Sequence, residues 1–194
     1  MRLPEHYQKQ MVPALMAELK ATNRLAVPRF SKVVLHVGLG PALKDAKFLE
    51  TVESTLKRIS GLAPVKTKAK KSISNFKIRA GMVIGTMVTL RGARMYDFLD
   101  RLVHVALPRV RDFRGISDKV VDAQGNLTIG FREHMVFPEI RSDEVERLHG
   151  LEVTIQTTAG TRERGLALFR ALGFPFGTGA DRDLTATSKR KRKK

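Results

Sequence analysis

The stretch Ser31-Lys-Val-Val-Leu-His-Val-Gly-Leu-Gly40 carries the pattern from which the fold can be predicted. Apolar residues recur at every second position from Val33 to Leu39, and most positions between them are polar or glycine. A period of two is that of a β-strand, in which successive side chains lie on opposite faces. The segment therefore predicts a strand with one face in the core of the protein.

Three further segments, 82–91, 126–132 and 151–158, alternate in the same way, and four others space their apolar residues as helices do. The helical segments are 7–19, which we expect Pro13 to kink or break, 44–60, 94–106, which stops at Pro108, and 162–172. These elements predict an α+β fold, an antiparallel or mixed sheet with helices packed on one face. We expect residues 1–176 to form a single domain and 177–194 a flexible basic tail.

The charge of the chain is strongly positive. Lys and Arg number 36 against 19 Asp and Glu, which gives a net charge of +17 at pH 7. Residues 189–194 are all basic, and the chain still carries +11 without them. A folded protein with this excess repels itself unless an anionic partner neutralises it. Nucleic acid is the first candidate partner and an anionic membrane surface the second, although the latter favours a basic amphipathic helix that we do not recognise.

Several classes of site are excluded by composition. The sequence contains no Cys, so it forms neither disulfides nor thiolate metal sites. The five His are scattered, and we expect no metal site. The N-terminal residues lack the apolar run of a signal peptide, and no segment approaches the roughly 20 apolar residues of a membrane span. We therefore expect a soluble, cytoplasmic protein without a membrane partner.

Signals for catalysis are weak. Gly38-Leu-Gly40 lies between a predicted strand and a predicted helix, as in dinucleotide sites, but the third glycine is missing and Pro41 intrudes. Asp143, Glu144 and Glu146 are more typical of the start of a solvated helix than of a metal site. We recognise no nucleophile with its base and no paired carboxylates, so we predict neither an enzyme nor a cofactor.

The sheet face opposite the helices, here called the outer face, is predicted to carry hydrogen-bonding residues with a positive bias. Such a surface suits the ribose hydroxyls and phosphates of structured RNA. A merely solvated sheet face is equally compatible with the strands alone, and the total charge favours RNA. The predicted outer-face residues are Lys32, His36, Thr89, Arg91, Thr128, Arg132, Thr154, Gln156 and Thr158.

A second candidate surface is the segment 67–79, here called the basic loop. From 57 to 79 the chain has eight basic residues and no acidic one, a composition typical of an exposed loop or hairpin that binds phosphates. Lys66, just before the loop, and Lys68, near its start, are candidate RNA ligands. Phe76 lies among the cations and either stacks on a base or packs within the hairpin. The other candidate residues of the loop are Lys70, Lys71, Ser72, Asn75, Lys77 and Arg79.

A third basic cluster follows the helix predicted at 94–106. It consists of Arg109, Arg111 and Arg114. Two interpretations stay open, because these side chains are suited both to binding phosphates and to pairing with nearby carboxylates.

Six segments, in a consistent order, resemble one family. They are 32–40, 67–79, 85–92, 107–115, Phe137-Pro-Glu-Ile140 and Gly173-Phe-Pro-Phe176. Together they resemble the ribosomal protein L5 family of the large subunit, in its bacterial or organellar form. The likeness runs from about residue 7 to residue 176.

The resemblance implies a non-enzymatic protein of the large ribosomal subunit. Members of this family bind 5S rRNA in the central protuberance and contact the surrounding large-subunit rRNA and neighbouring proteins. The resemblance also implies that the basic loop, at Lys70 to Arg79, reaches the elbow of the peptidyl-site tRNA. Another surface of the family meets a small-subunit head protein in an intersubunit bridge, for which Arg109, Arg111 and Arg114 are candidates alongside a role as rRNA ligands.

Two positions depart from the family pattern. His36 stands where the family usually has Asn, and Leu62 where it usually has Gln, while Thr89 matches the pattern. The family's residues at these positions are associated with 5S rRNA. A lost polar contact costs about 0.5–1.5 kcal/mol, which is small beside a large charged interface. We therefore expect binding to persist with altered detail.

Overall fold

The computed structural model describes residues 3–40, 45–111, 113, 115–140 and 147–177. Within these residues the chain forms an antiparallel sheet of five strands with four helices, which confirms the predicted α+β class. The strands are β1 (Phe30–Gly38), β2 (Val65–Lys68), β3 (Val83–Leu90), β4 (Leu127–Phe131) and β5 (Leu151–Thr157). Their order in the sheet is β2-β3-β1-β5-β4. The predicted tail at 177–194 lies, apart from residue 177, outside the described residues.

The first strand, β1, is the centre of the sheet and pairs with β3 on one side and β5 on the other. Val33, Leu35 and Val37 are completely or almost completely buried, as the alternation predicts. Val34 lies on the opposite side, beside Thr89 of β3 and Thr154 of β5. The alternation of 31–40 therefore fixes which residues of β1 face the core, and the strand pairing adds their neighbours on β3 and β5.

The strand β2 was not predicted from the sequence. It is a four-residue edge strand that pairs with β3 alone. Its residues Val65, Lys66 and Lys68 are exposed, so the segment lacks the apolar alternation that marks the buried strands. Short, lysine-rich edge strands are a common means of preventing unwanted pairing with other chains.

Three consecutive segments form the N-terminal helix α1, namely Leu3–His6, Tyr7–Met11 and Val12–Glu18. The chain does not break at Pro13; instead the segment directly before it is π-helical. Proline removes one amide donor and crowds the carbonyl four residues earlier, and a π-helical turn is a known way of absorbing that defect. Tyr7 donates its hydroxyl to the carbonyl of Pro28 at 2.8 Å, and burial raises the pKa of that hydroxyl to about 12.

The helix α2 (Ala46–Ser60) begins and ends with recognised caps. The carboxylate of Asp45 accepts a hydrogen bond from the amide of Phe48 at 3.3 Å. Gly61 ends the helix with a φ of 68°, a left-handed conformation that glycine adopts without steric cost. The apolar side of the helix packs into the core through Val52, Leu56 and Ile59.

The helix α3 (Gly92–Arg101) differs from its prediction at the C-terminal end. It continues as a π-helical turn, Leu102–Ala106, and a 3₁₀ turn, Leu107–Arg109, and so passes Pro108 instead of stopping there. The helical spacing of Met95, Phe98, Leu99, Leu102 and Val105 predicts that Val105 is buried, but Val105 is 36% exposed and Ala106 is fully buried. Wider π-helical turns rotate each following residue backwards, so the buried position moves from 105 to 106.

The last helix, α4 (Arg162–Ala171), completes the layer that covers one face of the sheet. Phe98 of α3 stacks on Phe137 with ring centroids 5.9 Å apart, and Phe137 meets Phe131 of β4 edge to face at 5.7 Å. This chain of aromatic contacts connects the helical layer with the sheet. Among the residues that the structure describes, no helix packs on the outer face.

Candidate nucleic-acid interface

The strand register fixes which side chains are neighbours on the outer face. Lys32, Val34 and His36 of β1 lie on this face, and Val34 and His36 each have a partner on both adjacent strands. Lys32 is opposite Gln156, Val34 is opposite Thr89 and Thr154, and His36 is opposite Met87 and Glu152. The predicted residues Lys32, His36, Thr89, Thr154 and Gln156 are thus brought together on one surface, and Thr128 joins them through its pairing with Thr154.

A shallow depression lies on this face between β1, β5 and β4. Its polar lining offers both donors and acceptors, and the hydroxyls of Thr128 and Thr154 lie 3.3 Å apart. Lys32 supplies positive charge at its rim. The lining residues are Lys32, Val34, Asp122, Asn126, Thr128, Thr154 and Gln156.

The carboxylate of Asp122 is used within the turn that precedes β4. It accepts hydrogen bonds from the amides of Gln124 at 2.9 Å and Asn126 at 2.7 Å, and from Nδ2 of Asn126 at 2.9 Å. Burial raises the pKa of Asp122, but these hydrogen bonds outweigh it and hold that pKa below its usual value. Asp122 therefore stabilises the turn as an anion.

The ring of His36 fits closely against glycine on the neighbouring strand. A Cβ added at Gly85 would lie 2.9 Å from Nε2 of His36 and 2.9 Å from the carbonyl oxygen of Val37. On its other side, Nδ1 of His36 is 3.8 Å from Oε2 of Glu152. The two side chains are 40% and 52% exposed, so both are accessible to a ligand.

Other predicted residues lie at the margins of the outer face. Arg91 and Arg132 are exposed and directly follow β3 and β4. The hydroxyl of Thr158 accepts a hydrogen bond from the amide of Arg29 at 3.0 Å.

The predicted ligand Lys66 lies on the helical side of the sheet, because it is opposite the buried Thr86. Its Nζ is 3.0 Å from the carboxylate of Glu53. The structure therefore does not place Lys66 with the outer-face group.

The basic loop forms a hairpin, one of the two forms expected from its sequence. Ile73 and Ile78 exchange backbone hydrogen bonds of 2.9 and 3.2 Å, and a 3₁₀ turn, Ser74–Phe76, forms the tip. Lys77 closes the tip with a φ of 56°. Phe76 is 69% exposed, so the alternative in which it packs within the hairpin is wrong.

The hairpin displays its cations to solvent. The hydroxyl of Ser72 accepts a hydrogen bond from the amide of Ala80 at 2.9 Å and so fixes the two sides of the loop. Asn75, at the tip, is exposed. Within the part of the chain that the structure describes, the exposed cations without an ion pair in this hairpin are Lys68, Lys70, Lys71, Lys77 and Arg79.

The third cluster lies away from the sheet. Arg109 ends the 3₁₀ turn after α3, and Arg111 follows two residues later; both are exposed and neither forms an ion pair with a described residue. Arg114 lies outside the described residues. Leu62, one of the two departures from the family pattern, is half-buried and packs against the core.

Sequence reasoning left three side chains out of the outer-face group. Val34, Met87 and Glu152 lie on it beside the predicted polar residues. The period of two places all three on the same side of their strands as the predicted outer-face residues, but which of those residues they adjoin depends on the strand register. Register follows from pairing between distant segments and cannot be derived from a single strand.

The described residues include no group of three or more His, Cys, Asp or Glu side chains that could hold a metal ion. Separately, none of the helices among those residues has the length and apolar character needed to cross a membrane.

Comparison with known proteins identifies the relatives of the chain. Residues 23–79 match the family described as Ribosomal protein L5, and residues 83–176 match the model for the C-terminus of the same ribosomal family. The large ribosomal subunit protein uL5 of Chloroflexus aurantiacus is 53% identical over 175 residues, which is 90% of this chain and 97% of that protein. The uL5 proteins of Anaeromyxobacter dehalogenans and Syntrophotalea carbinolica are 52% and 54% identical over the same share of this chain, and over 97% and 95% of their own lengths.

Proposed function

Because the chain belongs to the ribosomal protein L5 family, we propose that its outer face binds 5S rRNA and its basic loop contacts peptidyl-site tRNA. The protein is a structural constituent of the large ribosomal subunit, a non-enzymatic part of the ribonucleoprotein that carries out translation. Its relatives are bacterial, and their location on the ribosome places it in the cytoplasm.

The outer face supports the first half of the proposal. It combines cations, at Lys32, Arg91 and Arg132, with hydroxyl and amide groups on the adjoining strands. The cations neutralise phosphates, and the hydroxyl and amide groups suit ribose 2′-hydroxyls. These polar groups belong to Thr89, Thr128, Thr154 and Gln156. The feature that carries the proposal is this assembly of hydrogen-bonding residues on one face of the sheet, in a protein with a net charge of +17.

The basic loop supports the second half. It projects from the edge of the sheet at β2, and its exposed tip presents Phe76 among cations. An exposed aromatic ring stacks on a base or ribose, while the neighbouring Lys and Arg attract the phosphates on either side. Lys70, Lys71 and Lys77 would bind the tRNA backbone in this arrangement, and Arg79 would bind it nearer the sheet.

We further propose that Arg109, Arg111 and Arg114 contact rRNA or the small-subunit head protein at an intersubunit bridge. The exposure of Arg109 and Arg111 and their lack of ion pairs with described residues leave both guanidinium groups available for an external anion. Arginine binds phosphates and carboxylates in the same bidentate manner, which suits either partner.

A salt-titrated filter-binding assay tests the first half of the proposal. The protein is titrated with labelled 5S rRNA in the presence and absence of an unrelated structured RNA of equal length. We expect binding to 5S rRNA to survive excess competitor and moderate salt, because shape and hydrogen bonding add to the electrostatic attraction. Equal affinity for the two RNAs, lost together as salt rises, would show that the charge attracts RNA without selecting 5S rRNA.

A further inference from the structure

Glu152 occupies an unexpected position for an acidic residue. It lies in β5 on the outer face, with His36 of β1 on one side and Gly130 of β4 on the other. Its side chain is 52% exposed. A carboxylate on a surface that binds a polyanion repels phosphates, so it weakens nearby RNA contacts that depend on charge alone.

The carboxylate of Glu152 has no internal structural use among the described residues. Its nearest ionisable neighbour among them is His36, and the 3.8 Å between Nδ1 and Oε2 exceeds a hydrogen bond. Asp122, the acidic residue in the nearby depression, differs because three hydrogen bonds from its own turn occupy its carboxylate. Both oxygens of Glu152 are therefore available as acceptors for a ligand.

The surface next to Glu152 has room for such a ligand. At Gly130, directly across from Glu152 on β4, an added Cβ would meet nothing within 4 Å. A planar group can consequently approach the sheet beside the carboxylate. On the other side, the ring of His36 is confined between Gly85 and Glu152 and limits the positions that the carboxylate can take.

We propose that Glu152 is a specificity-determining residue that reads the Watson–Crick edge of an unpaired guanine in the RNA bound to the outer face. Guanine presents two adjacent donors there, N1–H and N2–H, and a carboxylate accepts both in a bidentate arrangement. Phosphates offer no donor, so the same carboxylate favours an RNA with an exposed guanine at this point and disfavours all others. This inference rests on the proposed binding of 5S rRNA to the outer face.

The variant Glu152→Gln distinguishes hydrogen-bonded recognition of a guanine from electrostatic repulsion of phosphates. It keeps the shape of the side chain but removes the negative charge and one acceptor. We expect its affinity for 5S rRNA to fall about tenfold, the usual scale for losing a bidentate base contact, while its affinity for the structured competitor rises severalfold. Glu50→Gln, an exposed change on α2, makes the same change in net charge on the helical side and should raise both affinities slightly and equally.

Two further measurements make the inference specific. Glu152→Asp keeps the charge but shortens the reach, and we expect it to lose affinity for 5S rRNA without gaining affinity for the competitor. Kethoxal, which modifies N1 and N2 of unpaired guanine, should leave one guanine of 5S rRNA unmodified in the wild-type complex and modify it when Glu152→Gln is bound at saturation. Thermal unfolding of each variant confirms that it is folded.

The outcomes distinguish this inference from the function on which it rests. A wild-type protein that binds 5S rRNA and the competitor equally would overturn the proposed function and this inference together. Selective wild-type binding that Glu152→Gln retains, or equal changes in both affinities, would overturn the inference alone. The same holds if no guanine gains reactivity towards kethoxal in the variant complex.

Discussion

The rings of His134 and His149 stack inside the protein with centroids 3.9 Å apart and an angle of 5° between their planes. The two residues are 1% and 6% exposed, and Phe48 of α2 covers the second ring edge-on. Burial lowers the pKa of both imidazoles, and for His149 the neighbouring His134 contributes further, so that its pKa falls to about 4. The pair is therefore neutral at pH 7.

We predict from this pair that the protein loses stability in mildly acidic solution. In the unfolded chain a histidine has a pKa of about 6.5, so the unfolded state binds protons first as the pH falls. The free energy of unfolding should decrease between pH 6.5 and about 4, by an amount of the order of 3 kcal/mol for His149. Urea unfolding at several pH values measures this decrease.

The variant His149→Phe is the control for this prediction. It retains an aromatic ring beside His134 but cannot bind a proton, so the pH dependence of its stability should be distinctly shallower than that of the wild type. Parallel stability curves for the two proteins would show that the acid sensitivity arises elsewhere.

Residue pairs of this kind mark a limit of sequence reasoning. The five His looked scattered along the chain, and nothing local indicates that residues 15 positions apart would stack. The same limit applies to Glu152, because the alternation of 151–158 gives the side of the strand on which it lies but does not identify His36 as its neighbour. Long-range pairing creates both environments, whereas the fully buried residues of β1 follow from local alternation alone.

At the scale of elements, strongly patterned segments were predicted well and irregular ones poorly. Four strands and four helices follow from apolar periods of two and of three to four residues. The strand β2 was not predicted, because an exposed edge strand has no apolar face and therefore no apolar alternation. The π-helical turn Leu102–Ala106 was not predicted, because its wider geometry has no local sequence pattern. The turn changes which residue after α3 is buried.

The basic loop yields a prediction that belongs to this scale. Lys70→Glu combined with Lys71→Glu should weaken binding to tRNA about tenfold or more at low salt, because it reverses the charge on the surface that we propose contacts the tRNA phosphates. Binding to 5S rRNA should change by about twofold at most, since these residues lie in the hairpin beyond the sheet edge and not on the outer face. Filter binding with each RNA measures both effects.

A matched control for the loop variant is Lys47→Glu combined with Lys57→Glu. It makes the same change in net charge at two exposed positions of α2, on the helical side of the sheet. We expect this control to reduce both affinities modestly and by similar factors. Equal, large losses of affinity for both RNAs in the loop variant would contradict the proposal that the loop binds tRNA and the outer face binds 5S rRNA.

The whole molecule combines the two matched segments in one sheet. Residues 23–79 supply β1 and β2, residues 83–176 supply β3, β4 and β5, and β1 lies between β3 and β5. We propose on this basis that residues 1–176 act as a single RNA-binding domain. The sequence predicted the layer architecture and the polar outer face, while its depression and the position of each cation required the three-dimensional arrangement.

The final prediction concerns the division of charge between body and tail. We expect that replacing residues 189–194 with an uncharged Gly/Ser segment of equal length will leave the free energy of unfolding unchanged, because the buried residues described lie between Met11 and Phe174. Six fewer cations should weaken binding to 5S rRNA and to a structured competitor by similar factors. The slope of log affinity against log salt should become shallower by at most about 5.

The ratio of the two affinities is the decisive measurement for this variant. Selectivity that arises from hydrogen bonding on the outer face does not depend on tail charge, so the ratio should equal that of the full chain at each salt concentration. A fall in the ratio would mean that the tail takes part in recognising 5S rRNA. An unchanged ratio with a shallower salt slope would mean that the tail adds general affinity for RNA, and that the body, with its remaining charge of +11, carries the recognition.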